Sequence, residues 1–245
     1  MRGGLIVTGG GRGIGASVAR LAAEQGYAVC VNYRRDERAA TAVVGAIAAA
    51  GGRATAVRAD VSSEDEVRAL FVTAERALGP IAGLVNNAGI TGPIGRFADS
   101  DPDIWRSVLE TNVVGSMLCA REAVRRFLPV GGGAIVNLSS VAATTGAAGE
   151  YVHYAASKAA IDAFTVGLAR EVADSGIRVN AVAPGSTLTD IHAAAGEPGR
   201  PARVRERIPM RRLAEPDEIA ATIMWLFSEE ASYVTGAVLR VAGGF

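Results

Sequence analysis

The sequence contains little cysteine and little histidine, and this excludes several kinds of site. Its two cysteines, Cys30 and Cys119, are too few for a disulfide framework or a zinc cluster. The two histidines, His153 and His192, have no metal-ligand partner at a recognisable spacing. The sequence therefore predicts no metal site and favours a reducing, cytoplasmic environment.

An excess of one charge and a long apolar run are also absent. The 25 basic residues balance 25 acidic ones, so the chain lacks the broad positive field that nucleic-acid binding requires. No uninterrupted apolar run approaches the length of a membrane helix. The fold is predicted to begin at Gly4, which leaves no room for a signal peptide. We therefore expect neither a nucleic acid nor a membrane as partner.

What is present is a regular alternation of short β-branched runs and longer helical patterns. Hydrophobic residues make up 49% of the chain, enough for a full core. Continuous apolar strands separated by helices are typical of a parallel sheet covered on both faces. Strands are predicted at 5–8, 28–32, 54–60, 81–89, 133–140, 177–185 and 237–244, and helices at 14–25, up to 50, 65–79, 105–128, 154–172 and 217–227.

No linker or repeat divides the chain. We therefore predict one α/β domain over residues 1–245, a single doubly wound parallel sheet of the Rossmann type with helices on both faces. The least regular segment is 186–212, and a loop of that length in a compact domain is usually functional or mobile.

A glycine-rich turn follows the first predicted strand. Residues 8–15 read TGGGRGIG, which departs from GxGxxG and fits TGxxxGxG, with Gly9, Gly13 and Gly15 in the key places. Glycines let the backbone approach a pyrophosphate at a helix N-terminus, where free N–H groups and the helix dipole favour an anion. Such turns also close strands for structural reasons. The position at the first strand–helix junction favours dinucleotide binding.

The end of the second strand indicates which dinucleotide is bound. Tyr33 stands where an NAD-type aspartate would bond the ribose hydroxyls, and Arg34 and Arg35 follow it. Arg12 adds a second cation, and arginine binds phosphate oxygens in pairs. NADP(H) is therefore predicted, although the arginines could also be solvated residues opening a helix. Asp60 is either an adenine contact or part of the next helix cap.

Tyr154 and Lys158 lie four residues apart on a predicted helix, so their side chains share one face. A neighbouring cation lowers the pKa of a phenol, and lowering it from about 10 to about 7 requires roughly 4 kcal/mol. Lys158 and a cationic nicotinamide could supply this energy. Tyr151 has no lysine four residues on, and a tyrosine–lysine pair by itself is common. The companion residue is Ser140, at the carboxyl end of a parallel strand, where ligands bind in such sheets.

Several motifs in order give the chain its resemblance to a known family. They are TGGGRGIG, NNAG at 86–89, Asn112, the SS and YAASK motifs at 139–140 and 154–158, and RVNAVAPG at 178–185. Over essentially its whole length the sequence resembles the short-chain dehydrogenase/reductase family, in particular members similar to 3-oxoacyl-ACP reductase and glucose dehydrogenase.

The resemblance implies a role for each matching residue. Tyr154 would be the general acid/base, Lys158 would lower its pKa and bond the nicotinamide ribose, Ser140 would polarise the substrate carbonyl, and Asn112 would hold a water for proton relay. The cofactor contacts it implies, together with those predicted above, are Gly9, Arg12, Gly13, Ile14, Gly15, Tyr33, Arg34, Asp60, Val61, Asn86, Ala88, Gly89, Tyr154, Lys158, Pro184, Gly185, Thr187 and Thr189.

The spacing from Ser140 to Tyr154 departs from the family pattern. The gap is 14 residues, from 140 to 154, where many members have one fewer, and counting back thirteen reaches Val141, which has no hydroxyl. The extra residue is expected in the 146–150 loop. Ser139 is the alternative serine, but it should point to the opposite face of an extended strand.

The resemblance also implies a substrate lid at 186–212 and a homotetramer. Glu150 and His192 are candidates for substrate specificity, and His153 is interpreted as structural. The leading hypothesis is an NADPH-dependent reductase of a ketone such as a 3-oxoacyl thioester or a sugar. The alternatives are a sugar or alcohol dehydrogenase running oxidatively, and a non-catalytic NADP(H)-binding sensor.

Overall fold

The structure, a computed structural model, describes residues 2–245 with the exception of the side chains of His192 and Ala194. The predicted specificity role of His192 therefore lies outside the described residues. Seven strands form one parallel sheet in the order β3-β2-β1-β4-β5-β6-β7. They are β1 Gly4–Val7, β2 Ala28–Tyr33, β3 Arg53–Arg58, β4 Ile81–Asn86, β5 Gly133–Leu138, β6 Ile177–Pro184 and β7 Val238–Val241.

Helices follow the strands along the chain and cover both faces of the sheet. They are α1 Gly13–Glu24, α2 Glu37–Ala49, α3 Glu64–Leu78, α4 Pro102–Leu109, α5 Gly115–Phe127, α6 Ala142–Thr145, α7 Val152–Val172, α8 Ile191–Ala194, α9 Arg200–Arg205 and α10 Pro216–Trp225. The predicted doubly wound parallel sheet is confirmed.

Most strands contribute side chains to two hydrophobic cores, because successive side chains point to opposite faces. In β1, Leu5 and Val7 pack with α1, α2 and α10, whereas Ile6 packs with α3, α5 and α7. All three side chains are fully buried. Strands buried on both faces need apolar residues at every position, which explains why they read as continuous hydrophobic runs.

The strand order reverses between β1 and β4. The chain first proceeds outward through β2 and β3, then returns to the other side of β1 and proceeds through β5, β6 and β7. Loops that leave neighbouring strands in opposite directions open a crevice at their carboxyl ends, where ligands bind in such sheets. Here the crevice lies between the glycine turn after β1 and the NNAG motif after β4.

The helix predicted at 105–128 is the main departure from the sequence-based elements. It begins earlier, at Pro102, because Asp101 caps it: the carboxylate accepts a hydrogen bond from the Asp103 N–H at 2.9 Å. It is then interrupted by a π-helical turn at Glu110–Val114 before α5 begins. Periodicity does not show such a turn, which adds one residue to a helix and is frequent at functional sites.

Smaller differences lie at strand ends and in the lid segment. Strand β4 was predicted to extend to Gly89 but ends at Asn86, and β7 was predicted to extend to Gly244 but ends at Val241. The segment predicted as irregular, 186–212, contains the short helices α8 and α9. The membrane criterion is not met by any helix in the described residues, since none is both long and apolar enough to cross a bilayer.

Candidate active site

The glycine turn after β1 is built from positions that exclude side chains. Gly9 and Gly13 have φ of 60° and 52°, in the left-handed region that favours glycine. A Cβ on Gly15 would lie 2.5 Å from Asn87 Nδ2 and 2.6 Å from the Gly9 carbonyl oxygen. The turn leads into the first N–H groups of α1, which have no partner within the helix. This arrangement fits the pyrophosphate of a dinucleotide.

Asn87 holds the glycine turn to the end of β4. Its side-chain amide donates to the carbonyl oxygens of Thr8 at 2.8 Å and Gly9 at 3.0 Å. In return, the Thr8 hydroxyl accepts from the backbone N–H groups of Asn87 and Ala88, both at 3.0 Å. Sequence reasoning named Asn86 rather than Asn87 as a site residue, although both belong to the NNAG motif.

Asn86 points into the interior instead. Its amide donates to the Ser116 carbonyl at 3.0 Å and to Asn137 Oδ1 at 2.9 Å, and the side chain is buried. Neighbouring residues at the end of a strand face opposite sides, which separates the two asparagines. The side chain of Asn86 thus joins β4 to α5 and β5, and its contact with a cofactor stays a prediction.

The residues predicted to choose the dinucleotide lie around the carboxyl end of β2. Arg34 forms an ion pair with Asp60, with 2.8 Å between Nε and Oδ2. Burial tends to raise the pKa of Asp60, but hydrogen bonds from Ser62 and the charge of Arg34 outweigh it, so the pKa is lowered. Arg12 is exposed at the start of α1, and Arg34 is exposed as well. Both guanidinium groups are accessible to an anion.

Tyr154 and Lys158 lie on α7 and face the end of β5. Lys158 Nζ lies 5.7 Å from the centroid of the Tyr154 ring and donates to the Leu138 carbonyl at 2.6 Å. Both side chains are buried. The expected sharing of one helix face is confirmed, and the carbonyl that ends β5 fixes the ammonium group.

The two serines after β5 point in opposite directions, as the pleat predicts. Ser139 is buried and its hydroxyl donates to the Lys158 carbonyl at 3.5 Å, behind the site. The Ser140 hydroxyl lies beside Tyr154 and accepts from the Ala142 N–H at 3.1 Å. The structure therefore brings Ser140, and not Ser139, to the phenol. Between α6 and α7, the 146–150 loop contains the left-handed residues Gly146, Ala147 and Gly149.

Burial dominates the ionisation of this pair. It raises the pKa of the Tyr154 phenol, while the Ser140 hydroxyl and the positive charge of Arg200 act in the opposite direction. Burial also lowers the pKa of Lys158 to about 8, partly offset by the carboxylate of Asp162. The predicted lowering of the Tyr154 pKa requires Lys158 together with a cationic nicotinamide, so it stays a prediction for the protein with its cofactor bound.

Asn112 lies within the π-helical turn and is fully buried. Its Oδ1 accepts from the Ile90 N–H at 2.8 Å, and its amide donates to the Ile90 carbonyl at 2.9 Å and to Ser157 Oγ at 3.0 Å. Both amide donors are thus used within the protein. Asn112 thus attaches the segment after β4 to α7. Gly89, in the same segment, lies close to Lys158, since a Cβ on Gly89 would be 3.6 Å from Lys158 Nζ.

A cavity of about 330 Å³ joins these side chains to the lid segment. Predicted site residues that line it are Ile14, Gly89, Ser140, Tyr154, Lys158, Pro184, Gly185, Thr187 and Thr189. Thr189 also reaches the glycine turn, since a Cβ on Gly13 would lie 3.1 Å from its Cγ2. Val61 is buried instead against Gly115, where a Cβ would come within 2.8 Å of Val61 Cγ2.

Glu150 connects residues 186–212, the segment predicted to be a lid, to the rest of the protein. Its carboxylate accepts from Arg200 and from Arg203, each at 2.7 Å, and its backbone carbonyl accepts from Gly95 at 2.8 Å. Arg200 also lies over the ring of Tyr151, 5.5 Å from its centroid. The ion pair between Glu150 and Arg200 could not be predicted from the sequence, because the two residues are 50 positions apart.

The remaining candidate has a structural contact. His153 is buried, and its Nε2 lies 2.8 Å from the Thr91 carbonyl oxygen. Among the side chains that the structure describes, no three of His, Cys, Asp or Glu cluster in a way that could hold a metal ion.

Known proteins match the chain over nearly its whole length. A family model described as enoyl-(acyl carrier protein) reductase matches residues 9–245. The uncharacterized oxidoreductase YgfF of Escherichia coli (strain K12) is 50% identical over 242 residues, 98% of each protein. The cis-4-hydroxycyclohexanecarboxylate dehydrogenase of Sinomonas cyclohexanicum is 43% identical over 244 residues, 98% of this chain and 95% of the relative.

A solved structure agrees with these relatives. The crystal structure of a dehydrogenase/reductase from Sinorhizobium meliloti 1021 matches with a TM-score of 0.92 at 36% identity, over 99% of this chain and 94% of the other. Together with the sheet and its crevice, these matches define the protein as an oxidoreductase. It belongs to the short-chain dehydrogenase/reductase family, as its motifs indicated.

Proposed function

We propose that the protein is an NADP(H)-dependent oxidoreductase that interconverts a ketone and a secondary alcohol, with Tyr154 as general acid/base. The observation that carries this proposal is the convergence of Tyr154, Lys158 and Ser140 on one cavity beside the glycine turn. Transfer of one hydride and one proton to a ketone gives a secondary alcohol, and the reverse transfer restores the ketone. The Sinomonas relative is a cis-4-hydroxycyclohexanecarboxylate dehydrogenase, and its action on a ring alcohol supports this substrate class.

Residues of the chain itself carry out the proton transfer. In reduction, Tyr154 gives its phenolic proton to the carbonyl oxygen as negative charge develops there, and the Ser140 hydroxyl donates a hydrogen bond to the same oxygen. Because burial raises the pKa of Tyr154, the phenol holds its proton at neutral pH until it is needed. The ammonium group of Lys158 then stabilises the phenolate that remains. In oxidation the same phenolate accepts the proton.

The binding residues proposed for the cofactor follow the crevice. Gly9, Gly13 and Gly15, with the first N–H groups of α1, would hold the pyrophosphate, and Arg12 and Arg34 would pair with the 2′-phosphate. When bound, the nicotinamide cofactor supplies or accepts the hydride.

The first experiment measures NADPH against NADH consumption by the purified protein. The substrates are simple and cyclic ketones, diketones, keto-sugars and 3-oxoacyl thioesters, and the matching alcohols are tested with the oxidised cofactors. Turnover that prefers NADPH supports the proposal. A preference for NADH would overturn the arginine argument and leave the catalytic one. Faster turnover with the alcohols would favour the oxidative dehydrogenase.

Tyr154→Phe tests the catalytic role. We expect kcat to fall about 10²- to 10⁴-fold, the usual contribution of a general acid or base, while fluorescence titration shows unchanged NADPH binding. Tyr151→Phe is the matched control, because that ring contacts Tyr154 edge to face at 5.2 Å between centroids. It should retain kcat within a few-fold. Equal losses in the two variants would mean that packing, and not the phenolic proton, was removed.

A non-catalytic sensor is the remaining alternative. It predicts tight binding of NADPH and no turnover of any ketone or alcohol in the panel. The complete set of Ser140, Tyr154 and Lys158 favours the enzyme.

A further inference from the structure

The lid side of the cavity contains a cluster of charges that neutralise one another. Glu150 accepts from Arg200 and Arg203, and Arg203 also pairs with Glu197, with 2.6 Å between Nε and Oε1. The two carboxylates and two guanidinium groups sum to zero. The side chains of Arg200 and Glu150 are largely buried, at 12% and 16% exposure, so the pair is shielded from water. Among the residues that the structure describes, this cluster therefore offers no net charge to a substrate.

Arg207 lines the same cavity and is not part of the cluster. Its side chain is exposed at the rim and forms no hydrogen bond or ion pair with any residue that the structure describes. Its backbone is nonetheless fixed: the Arg207 N–H donates to the Val204 carbonyl at 3.0 Å, and Val204 and Ile208 are buried together with Leu213. Arg207 is therefore an un-neutralised cation on a firmly seated segment.

The surfaces next to Arg207 are apolar. Val204 and Ile208 flank it and line the cavity, and Tyr151 and Phe245 line it as well. The volume of about 330 Å³ is at the small end of the range for ligand sites, and the predicted cofactor contacts Ile14, Gly185 and Thr189 line the same cavity, so only part of it is left for a substrate. Such a space accommodates a compact hydrocarbon frame with a polar group at each end. One end is the reacting oxygen at Tyr154 and Ser140.

We infer that the substrate carries a carboxylate on a compact apolar frame, and that Arg207 is the residue that binds it. The inference rests on the proposed function and names its substrate class. One un-neutralised guanidinium matches one negative charge, and its planar fork matches a carboxylate. A phosphate, with close to two charges at neutral pH, would leave one unpaired in this wall. The carboxylate anchors the substrate from the lid, so that its carbonyl or hydroxyl carbon lies at Tyr154.

The test compares an acid with its neutral amide in two assays. The first assay is turnover of 4-oxocyclohexanecarboxylate against 4-oxocyclohexanecarboxamide. The second is calorimetric binding of cyclohexanecarboxylate against cyclohexanecarboxamide in the presence of NADP⁺, which requires no reaction. We expect the wild-type protein to prefer the acid by about 10- to 100-fold in both, the effect of a hydrogen bond to a charged group.

Two variants examine Arg207, and a third controls for the lid. In Arg207→Gln the acid-to-amide ratio should fall to about one, and in Arg207→Lys it should be intermediate, because a lysine retains the charge but not the planar fork. Arg205→Gln is the matched control: it removes the same charge from the same lid, where Arg205 Nε donates to the Arg211 carbonyl at 2.9 Å. This control should retain the wild-type ratio.

Failure of the inference and failure of the proposed function give different results. If ketones are reduced but the acid has no advantage, or if Arg205→Gln lowers the ratio as much as Arg207→Gln, the carboxylate site at Arg207 is wrong and the oxidoreductase stands. If the acid binds with the predicted dependence on Arg207 but nothing is turned over with either cofactor, the carboxylate site stands and the proposed function is wrong. Equal binding of acid and amide by every variant also overturns the inference.

Discussion

Lys158 is the single lysine of the chain, since the other 24 of its 25 basic residues are arginines. An arginine is not an equivalent replacement at this position, because its guanidinium is planar, larger than an ammonium group and always protonated. A buried ammonium carries a cost in stability. Burial lowers the pKa of Lys158 from 10.5 to about 8, so folding is opposed by the need to desolvate the charge.

Lys158→Met should therefore stabilise the fold while it removes activity. Below pH 8 the amine is protonated in both states and the wild-type protein carries the full cost. Between pH 8 and 10.5 the unfolded chain binds more protons than the folded one, so the wild-type free energy of unfolding rises with pH. The variant lacks that rise. We expect it to be more stable at pH 7 by about 1–3 kcal/mol, at about 1.4 kcal/mol for each pKa unit less the lost hydrogen bond.

Urea unfolding at pH 7 and at pH 9.5 measures this difference. Other groups titrate in the same range, but they are common to both proteins and cancel when the curves are subtracted. A variant that is less stable at pH 7, by an amount that does not change with pH, would contradict the cost assigned to the buried ammonium.

Arg34 gives a second prediction at this scale, on the choice of cofactor. Arg34→Leu should lower kcat/KM for NADPH about 10- to 100-fold, because it removes a charged hydrogen-bond donor and leaves the Asp60 carboxylate without its 2.8 Å partner. The value for NADH should change only a few-fold. Arg106→Leu is the control, since Arg106 forms an exposed ion pair with Asp103 on α4. Equal losses for both cofactors would show that Arg34 does not read the 2′-phosphate.

At the scale of elements, the junction of β1, α1 and β4 is the most constrained part of the crevice. The carbonyl oxygens of the glycine turn are held by the Asn87 amide, and Gly15 packs directly against that amide. The turn is therefore a rigid cradle whose shape is supported from the neighbouring strand. The shape of the turn and the stability of the fold therefore depend on the same contacts.

Gly15→Ala should damage both. The added methyl would lie 2.5 Å from Asn87 Nδ2, so we expect a loss of about 1–3 kcal/mol in the free energy of unfolding and weaker NADPH binding. Gly45→Ala is the matched control: Gly45 is exposed within α2 and a Cβ there meets nothing within 4 Å. The free energy of unfolding of this control should rise by about 0.5–1 kcal/mol, because alanine favours the helix. Urea unfolding and fluorescence titration measure the two effects, and a neutral Gly15→Ala would contradict the cradle.

For the whole molecule, all seven strands belong to one sheet, and we propose that residues 1–245 form one domain. Large apolar side chains remain exposed at several places on its surface. They include Val114 and Met117 at the start of α5, and Trp225, Tyr233 and Phe245 in the carboxyl-terminal part of the chain. Exposed apolar groups in such number favour association with further copies of the chain.

We therefore expect a homotetramer of about 100 kDa by light scattering, four times the 25.1 kDa chain. Met117→Arg should halve that mass, because it puts a charge among the exposed apolar side chains at the start of α5, which we expect to contact another copy. Ala48→Arg, at an exposed position of α2, should leave the mass unchanged. A wild-type mass near that of a single chain would contradict the tetramer.

The order and type of the elements could be predicted because periodicity and glycine position are local properties. The same holds for the i, i+4 relation of Tyr154 and Lys158 and for the choice of Ser140 over Ser139, since helix and strand geometry determine where neighbouring side chains point. The π-helical turn at Glu110–Val114 escaped prediction because one additional residue hardly alters an apolar pattern.

The sequence by itself determined the sheet, the crevice and the residue types of the site. Only the tertiary structure decided which asparagine supports the glycine turn, that Asn112 fastens the segment after β4, and that burial raises the pKa of Tyr154. It also decided that Glu150 and Glu197 together neutralise Arg200 and Arg203, while Arg207 has no such partner among the residues that the structure describes. These properties depend on contacts between residues that are distant in the chain and on the burial that results from packing. Neither can be predicted from the residues that are neighbours in the sequence.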